Sequence, residues 1–236
     1  MTIDIPFIWV AFKEIIKALP ITLIITIVPL LVGFLIGIVV ALVRVFQMRF
    51  LYSAANAYVS FFRGTPIIMH IFVIYFGFPL LLDQLSEKFD LGIHTNSIPI
   101  ISFVLIALSL AAGAYLSEII RSGIISVSNG QMEAAYSVGM TKMQAMVRII
   151  LPQALAQSIP NFTNVTIGFL HTSSIAFLVS EKEVTGAANI VASINLKFLE
   201  AFIAAGMIYW GLTIIIEGLS YLLEKRVTAY NRGGVS

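Results

Sequence analysis

Long stretches without a single charged side chain constrain this fold more than any other feature of the sequence. Four such stretches hold 19 to 32 residues, and a fifth holds 16. A helix needs about 20 apolar residues to cross the hydrocarbon core of a bilayer. The first four stretches meet that length, and the fifth meets it if its helix continues past Glu217. The stretches are 18–43, 64–82, 91–117, 149–180 and 201–216.

The composition supports a membrane protein built from helices. Charged residues make up 11% of the chain, against about 25% in soluble domains, and the mean hydropathy is +0.98. Strands of a barrel would alternate with period two, and the run 21–25 does not. Without cysteine the chain has neither a disulfide nor a thiolate, and a net charge of +2 does not indicate nucleic acid. We predict an all-α protein with five transmembrane helices at about 18–44, 64–82, 97–120, 150–178 and 199–223.

The distribution of Lys and Arg predicts the orientation. Five spans place the termini on opposite sides, and one side then holds nine Lys and Arg residues, including every Arg, against five on the other. The richer side should be cytoplasmic. We therefore expect the N-terminus outside and the C-terminus, with a tail over 225–236, in the cytoplasm.

The first 17 residues predict a short helix that lies in the outer membrane interface. Its apolar residues fall on one helical stripe, with charged residues beside it. The alternative is an extension of the first span. The segment does not have the charged start and small-residue cleavage site of a signal peptide. The stripe consists of Ile8, Phe12, Ile15 and Leu19.

The longest inner segment, 121–148, carries a spaced motif that begins in its part 129–148. Glu133, Ala134 and Ala135 are followed after three residues by Gly139. After nine more residues come Ile149, Leu151 and Pro152. Small residues allow close approach of a partner, a carboxylate offers a charge-assisted contact, and glycine can end a helix in the left-handed conformation.

This motif resembles the EAA loop of the inner-membrane permeases of ABC importers. Two further stretches, 61–66 (Phe-Phe-Arg-Gly-Thr-Pro) and 115–121 (Tyr-Leu-Ser-Glu-Ile-Ile-Arg), are similar to signatures of the polar amino-acid subfamily, whose members carry histidine, glutamine, arginine or cystine. The resemblance covers about 19–224 and implies a type I permease domain over 18–224, with Glu133, Ala134, Ala135 and Gly139 contacting an ATPase.

The resemblance also implies the partners. A type I importer combines two permeases, two ATPases that bind ATP and Mg²⁺, and an external binding protein, so this chain itself would be no enzyme. The sequence leaves open whether the second permease is the same or a homologous chain. Many relatives carry Lys-Asp-Thr-Ser-Leu in the fourth span, where this chain has Leu170-His171-Thr172-Ser173-Ser174. The substrate is thus open among polar amino acids; residues 187–189 favour cystine.

Polar side chains within the spans are candidates for the substrate pathway, because such groups are costly in hydrocarbon. Glu118 could recognise a cation, or could pair with Arg121 or Arg63 to hold helices together. In the fourth span the candidates are Asn164, His171, Thr172 and Ser173, with packing against the third span and a bond to Glu118 as the alternative. Histidines and carboxylates are not spaced as metal ligands.

Two other classes of protein remain alternatives. A stand-alone secondary transporter or channel predicts inverted repeats or paired carboxylates in the spans, and the sequence shows neither. An intramembrane enzyme needs a nucleophile and a base, and Ser173, Ser174 and His171 lie too close in sequence to face each other across a site.

Backbone shaping is the expected role of Pro160, which should kink its helix, and of Gly33 and Gly37, which form a small-xxx-small face.

The predicted orientation can be tested with reporter fusions. A reporter after Ser236 should be cytoplasmic, and one inserted within 83–96 should be external, because every Arg then lies inside. An enzyme active only in the cytoplasm and one active only outside would be fused at both positions. The reverse pattern would contradict the orientation and move the motif at 133–139 to the outer side.

Overall fold

The computed structural model of the chain describes residues 3–90, 92, 95 and 98–232. His94 and residues 1–2 and 233–236, the end of the predicted tail, lie outside these ranges. The described residues form ten α-helices and no strand. The helices are α1 Ile5–Ile15, α2 Leu19–Val45, α3 Tyr52–Gly64, α4 Ile67–Phe89, α5 Ile100–Ser126, α6 Asn129–Ser137, α7 Lys142–Ala145, α8 Leu151–Ser173, α9 Val184–Asn195 and α10 Phe198–Arg232.

Five helical segments are long and apolar enough to cross a membrane, which confirms the predicted number of spans and the all-α class. Each overlaps one predicted span, but the first begins 13 residues earlier, the second ends seven residues later and the fourth begins eight residues earlier than predicted. The segments are Ile5–Val45, Ile67–Phe89, Ile100–Ser126, Lys142–Val179 and Phe198–Val227. The orientation of the termini stays a prediction.

The predicted N-terminal helix is present as α1. The Asp4 carboxylate caps it by accepting a hydrogen bond from the Phe7 amide at 3.0 Å. A 3₁₀ turn, Ile16–Ala18, joins α1 to α2. The predicted apolar stripe faces protein, because it packs with buried residues of α9 and α10, among them Val184 and Ala204.

The second span differs from its prediction. No helix was predicted in the segment before it, which forms α3. This helix packs beside α5, and its Tyr58 hydroxyl donates to the Leu110 carbonyl at 2.5 Å. Helix α3 ends at Gly64, and the backbone of Thr65 is extended because a residue before proline avoids the helical region. The Thr65 hydroxyl donates to the carbonyl of Phe61 at 2.6 Å and so satisfies part of the break.

Helix α5 forms the centre of the protein and is the most buried of the five spans. It packs against α2, α3, α4 and α8. The closest contact is with α2, where a methyl group added at Gly33 would lie 2.5 Å from Cβ of Ala112. At Gly37 it would lie 3.0 Å from the Ser117 nitrogen. The predicted small-xxx-small face is therefore confirmed, and its partner is α5.

The C-terminal half contains a helix that was not predicted. The predicted span 150–178 consists of α8 and a 3₁₀ turn, Ser174–Val179, and Pro160 lies inside α8 without ending it. The segment after this turn, which was predicted to lie outside, forms α9 and packs on α1 and α10. One cluster of buried apolar residues joins α1, α9 and α10 at one end of the protein, a second surrounds α5 in the middle, and a third joins α2, α5 and α8 at the end that carries α6.

The contact between α2 and α5 can be tested with a matched pair of glycine substitutions. Gly33→Ala should lower the free energy of unfolding by about 1–3 kcal/mol, because the added methyl meets the backbone of α5. Gly77→Ala is the control, since a methyl group added at Gly77 would meet no atom within 4 Å. Thermal unfolding of the purified protein in detergent measures both. Equal midpoints for the two variants would contradict the close packing.

Candidate functional site

The inner segment with the spaced motif forms a short helix and a sharp turn. Helix α6 ends at Ser137, and two residues later Gly139 has a φ of +80°, the left-handed conformation that was predicted there. The Gly139 amide donates to the Tyr136 carbonyl at 3.0 Å, and the Met140 amide donates to the Ala135 carbonyl at 3.1 Å. These bonds satisfy carbonyls at the end of α6, so the chain can reverse within a few residues.

Helix α7 begins immediately after this turn. The Thr141 hydroxyl accepts from the Gln144 amide at 3.3 Å, and the Gln144 side-chain oxygen accepts from the Thr141 amide at 2.9 Å. This reciprocal capping box fixes the start of α7. One π-helical turn, Met146–Ile150, then leads without interruption into α8. The motif is thus connected to the fourth span by continuous helix.

The three motif residues of α6 do not share one environment. Glu133 and Ala134 are exposed, whereas Ala135 is 1% exposed and faces the rest of the protein. Apolar side chains next to them are open to the outside: Val138 is 74% exposed and Tyr136 47%. The structure therefore presents Glu133 and Ala134 on a surface with apolar neighbours, and leaves Ala135 unavailable to a partner.

Glu118 lies at the centre of an ion cluster. Its carboxylate accepts from Arg44 of α2 and from Arg121 of α5, the latter at 3.0 Å, and Arg63 of α3 approaches it at 3.5 Å. Arg44 also donates to the side-chain oxygen of Asn56 at 2.8 Å. The cluster ties α2, α3 and α5 together in the half of the protein that carries α6.

Both ion pairs considered for Glu118, with Arg121 and with Arg63, are present, and a third, with Arg44, was not predicted. Arg44 belongs to the predicted first span, and nothing in its local sequence indicates a partner more than 70 residues away. One carboxylate surrounded by three guanidinium groups gives the cluster a positive charge. This is the opposite of the charge expected from a group that recognises cations.

The fourth span presents a polar side. Asn164, Gly168 and His171 follow one another on one exposed side of α8, as their spacing predicts. His171 Nε2 lies 3.2 Å from the Thr213 hydroxyl of α10, and its ring meets Tyr209 edge-on at 6.4 Å. The contacts of His171 are thus with α10, and the alternative bond to Glu118 is absent from the described residues.

The other two candidates of this span differ from one another. Thr172 lies beside His171 and donates to the Gly168 carbonyl at 2.7 Å. Ser173 is fully buried and donates to the Leu170 carbonyl at 2.7 Å, so it faces the protein interior. The structure therefore groups Asn164, His171 and Thr172, and separates Ser173 from them.

Helix α5 extends this polar side. The Ser126 hydroxyl donates to the side-chain oxygen of Gln157 at 2.6 Å, which joins the inner ends of α5 and α8. We call the exposed polar residues of these two helices the open polar face. It consists of Ser122, Ser126, Gln157, Asn161, Asn164 and His171.

The remaining spans expose a different surface. Along α2, the exposed stripe contains the apolar residues Leu31, Leu35 and Val39, which are 62–66% exposed. Helix α10 likewise exposes Trp210 and Leu219. Such stripes suit lipid, whereas hydroxyl, amide and imidazole groups lose their hydrogen bonds to water in hydrocarbon. The open polar face therefore requires water or another protein surface.

A buried carboxylate at the outer end was not predicted. Glu183 is 0% exposed and caps α9, accepting from the amides of Thr185 and Gly186 at 2.8 Å each and from the Tyr209 hydroxyl at 2.7 Å. Burial raises the pKa of the Glu183 carboxyl, against the lowering effect of these hydrogen bonds. An acid directly before the apolar run 184–195 is a helix-start signal that could have found it.

The cap also joins α9 to the first span. The Val184 amide, next to Glu183, donates to the Thr22 hydroxyl at 3.0 Å. Thr22 is fully buried in α2, so neither group has water as an alternative partner. Helices α2, α9 and α10 are therefore held together at one polar point close to His171, whose ring contacts Tyr209.

Comparisons with known proteins agree on one family. The family model described as "Binding-protein-dependent transport system inner membrane component" matches residues 33–229. The chain is 39% identical over 227 residues to the probable amino-acid permease protein YxeN of Bacillus subtilis (strain 168), covering 96% of this chain and 97% of the relative. It is 36% identical over 209 residues to the L-cystine transport system permease protein TcyL of the same organism, covering 89% and 85%.

A solved structure shares the fold. The crystal structure of an amino acid ABC transporter with histidines contains a chain that superimposes with a TM-score of 0.82 at 31% sequence identity. The match covers 96% of this chain and 100% of that chain. The helices described above thus occur in the same arrangement in a transporter subunit.

Proposed function

The chain belongs to the family of binding-protein-dependent transport system inner membrane components, and we propose that it is the permease subunit of an ATP-driven importer of polar amino acids. The family match over 33–229 and the amino-acid and cystine permeases among its relatives support this proposal. The observation that carries it is the open polar face, because polar side chains exposed on a membrane helix need a second subunit or a water-filled route beside them.

The second permease, the same chain or a homologous one, would cover this face. Substrate would then pass between the two subunits, in contact with Asn164, His171 and Thr172. Ser173 would support the route from behind, since it is buried next to His171, and Glu118 would act through the arginines around it. A zwitterion that leaves water needs replacement hydrogen bonds, and neutral imidazole can both donate and accept them.

The energy would come from a separate ATPase pair that binds ATP and Mg²⁺. Its docking surface would be the exposed side of α6, with Glu133 and Ala134 as polar and close-approach contacts and Tyr136 and Val138 as apolar ones. Because Gly139 ends α6 sharply, a push on this helix would pass through α7 into α8. This side would be cytoplasmic.

An external binding protein would deliver the substrate to the opposite end, where α1, α9 and the start of α10 lie together. The substrate class is polar amino acids, and cystine is the candidate that the relative TcyL supports. Uptake by vesicles that contain the permease, the ATPase and the cognate binding protein, screened over the proteinogenic amino acids and L-cystine, tests the function. A complex that imports none of them would overturn it.

Coupling to the ATPase gives one prediction. Gly139→Asp should lower uptake at least tenfold, because a charged side chain at φ +80° disturbs both the turn and the docking surface. Gly92→Asp is the matched control, because Gly92 is also left-handed, with φ +64°, but lies in the predicted outer loop 83–96, where an added Cβ meets no atom within 4 Å. Immunoblots establish equal amounts in the membrane. Near-normal uptake by the Gly139 variant would contradict the docking role.

The substrate route gives a second prediction. His171→Ala should retain assembly with the ATPase and lower uptake about three- to tenfold or change the range of substrates, because it removes one hydrogen-bonding group. Leu35→Ala, on the apolar stripe of α2, is the control and should transport normally. A His171 variant that fails to assemble, or that transports normally with an unaltered range, would remove this residue from the route.

A further inference from the structure

The ion cluster around Glu118 is not balanced in charge. Arg44, Arg63 and Arg121 share this one carboxylate, and the structure places no other Asp or Glu of the described residues within 4.0 Å of any of the three. Guanidinium groups keep their proton in proteins. Two positive charges are therefore left over after Glu118 has been neutralised.

The depth of the cluster makes this surplus costly. Glu118 lies eight residues before the inner end of α5 at Ser126, which is about 12 Å along the helix axis. It therefore lies within a transmembrane span, where an uncompensated charge costs several kcal/mol. A purely structural ion network would be expected to balance its charges, as buried pairs do. The surplus indicates an anion that enters from outside the chain.

Two of the three arginines are able to bind it. Arg44 is nearly buried and already bonded to Glu118 and Asn56. Arg63 and Arg121 approach the same oxygen of Glu118, at 3.5 and 3.0 Å, so their guanidinium groups are neighbours. Their side chains are 44% and 32% exposed, and Arg121 Nε is buried without an acceptor among the described residues.

The cluster adjoins the open polar face. Ser122, which belongs to that face, directly follows Arg121 in α5. On the other side, the guanidinium of Arg63 lies 5.8 Å from the centre of the Tyr115 ring, and that ring meets Phe169 of α8 edge-on at 6.2 Å. The ion cluster therefore borders the α5 part of the open polar face, and the Tyr115 ring separates Arg63 from the buried Phe169 of α8.

We propose that Arg63 and Arg121 form a binding site for a carboxylate of the transported solute, with Glu118 as the residue that positions both guanidinium groups. The proposal rests on the proposed function, which places the route along the open polar face. Planar guanidinium groups bind carboxylates through paired hydrogen bonds. Glu118, covered by three arginines, leaves no room for a cation and so sets the sign of the ligand.

The test uses the permease–ATPase complex in lipid nanodiscs, without the binding protein, so that the permease alone selects. The probes are the amino acid that the complete complex imports fastest and its α-carboxamide, which has no carboxylate. The unaltered complex should bind the acid at least tenfold more tightly than the carboxamide. Equal affinities in the unaltered complex would overturn the proposal while uptake by the complete complex leaves the proposed function standing.

Substitutions then locate the site. Arg63→Gln should weaken binding of the acid about tenfold and barely change binding of the carboxamide, whereas Arg63→Lys should retain part of the preference. Arg49→Gln, an exposed arginine in the turn before α3, should keep both affinities. Thermal unfolding checks that each variant is folded; if Arg63→Gln is not, the comparison of Arg63→Lys with the unaltered complex decides. An unchanged preference in a folded Arg63 variant would overturn the site.

A lipid phosphate is the competing ligand of similar chemistry. Binding is therefore repeated in nanodiscs of purely zwitterionic lipid and in nanodiscs with one-third anionic lipid. The same loss on Arg63→Gln in both supports a solute carboxylate. If the substitution instead releases bound anionic lipid and leaves the affinity for the amino acid unchanged, the site belongs to the lipid and the proposal is overturned.

Discussion

The close contact between α2 and α5 determines where the other helices can lie. At Gly33 and Gly37 the two backbones approach so far that a single methyl group would overlap α5. Without a hydrophobic effect between helices inside a bilayer, such backbone contact is a main source of packing energy. Because α5 is thereby fixed along α2, its other sides are free to receive α3, α4 and α8, and most of its exposed residues lie in its last turns, at Ser122, Ile125 and Ser126.

That arrangement separates two kinds of surface. Apolar stripes on α2 and α10 face outward and suit lipid, while the polar groups of α5 and α8 gather on one side. The polar side is bordered by the ion cluster on α2, α3 and α5, and by the contact of His171 with α10. A single chain leaves this surface uncovered in a membrane, and the second permease proposed above would cover it.

Much of this organisation could be predicted from the sequence, because hydrocarbon leaves few options. The uncharged stretches located all five spans, and the glycine spacing identified the packed face of α2. The left-handed turn at Gly139 and the position of Asn164 and His171 on one side of α8 followed from local spacing.

Features that depend on distant residues could not be predicted in the same way. Arg44 reaches Glu118 across 74 positions, and no local pattern encodes that contact. Helix α3 was missed because the uncharged stretch that contains most of it, between Arg49 and Arg63, is too short to cross a bilayer, although its buried side packs against α5. Helix α9 was missed although an acid stands directly before it, and Ser173 was grouped with its neighbours because spacing alone does not show which side of a helix is covered.

The π turn at Met146–Ile150 makes the direction of the polar residues in α8 depend on a few residues near the inner loop. Helices α7 and α8 are continuous through this turn, which holds one residue more than an α-helical turn. Each residue of an α-helix advances about 100° around the axis. Rewinding this turn as ordinary α-helix would therefore rotate Asn164 and His171 by about 100° relative to α7. The winding of the π turn therefore determines the direction in which the polar side chains of α8 point.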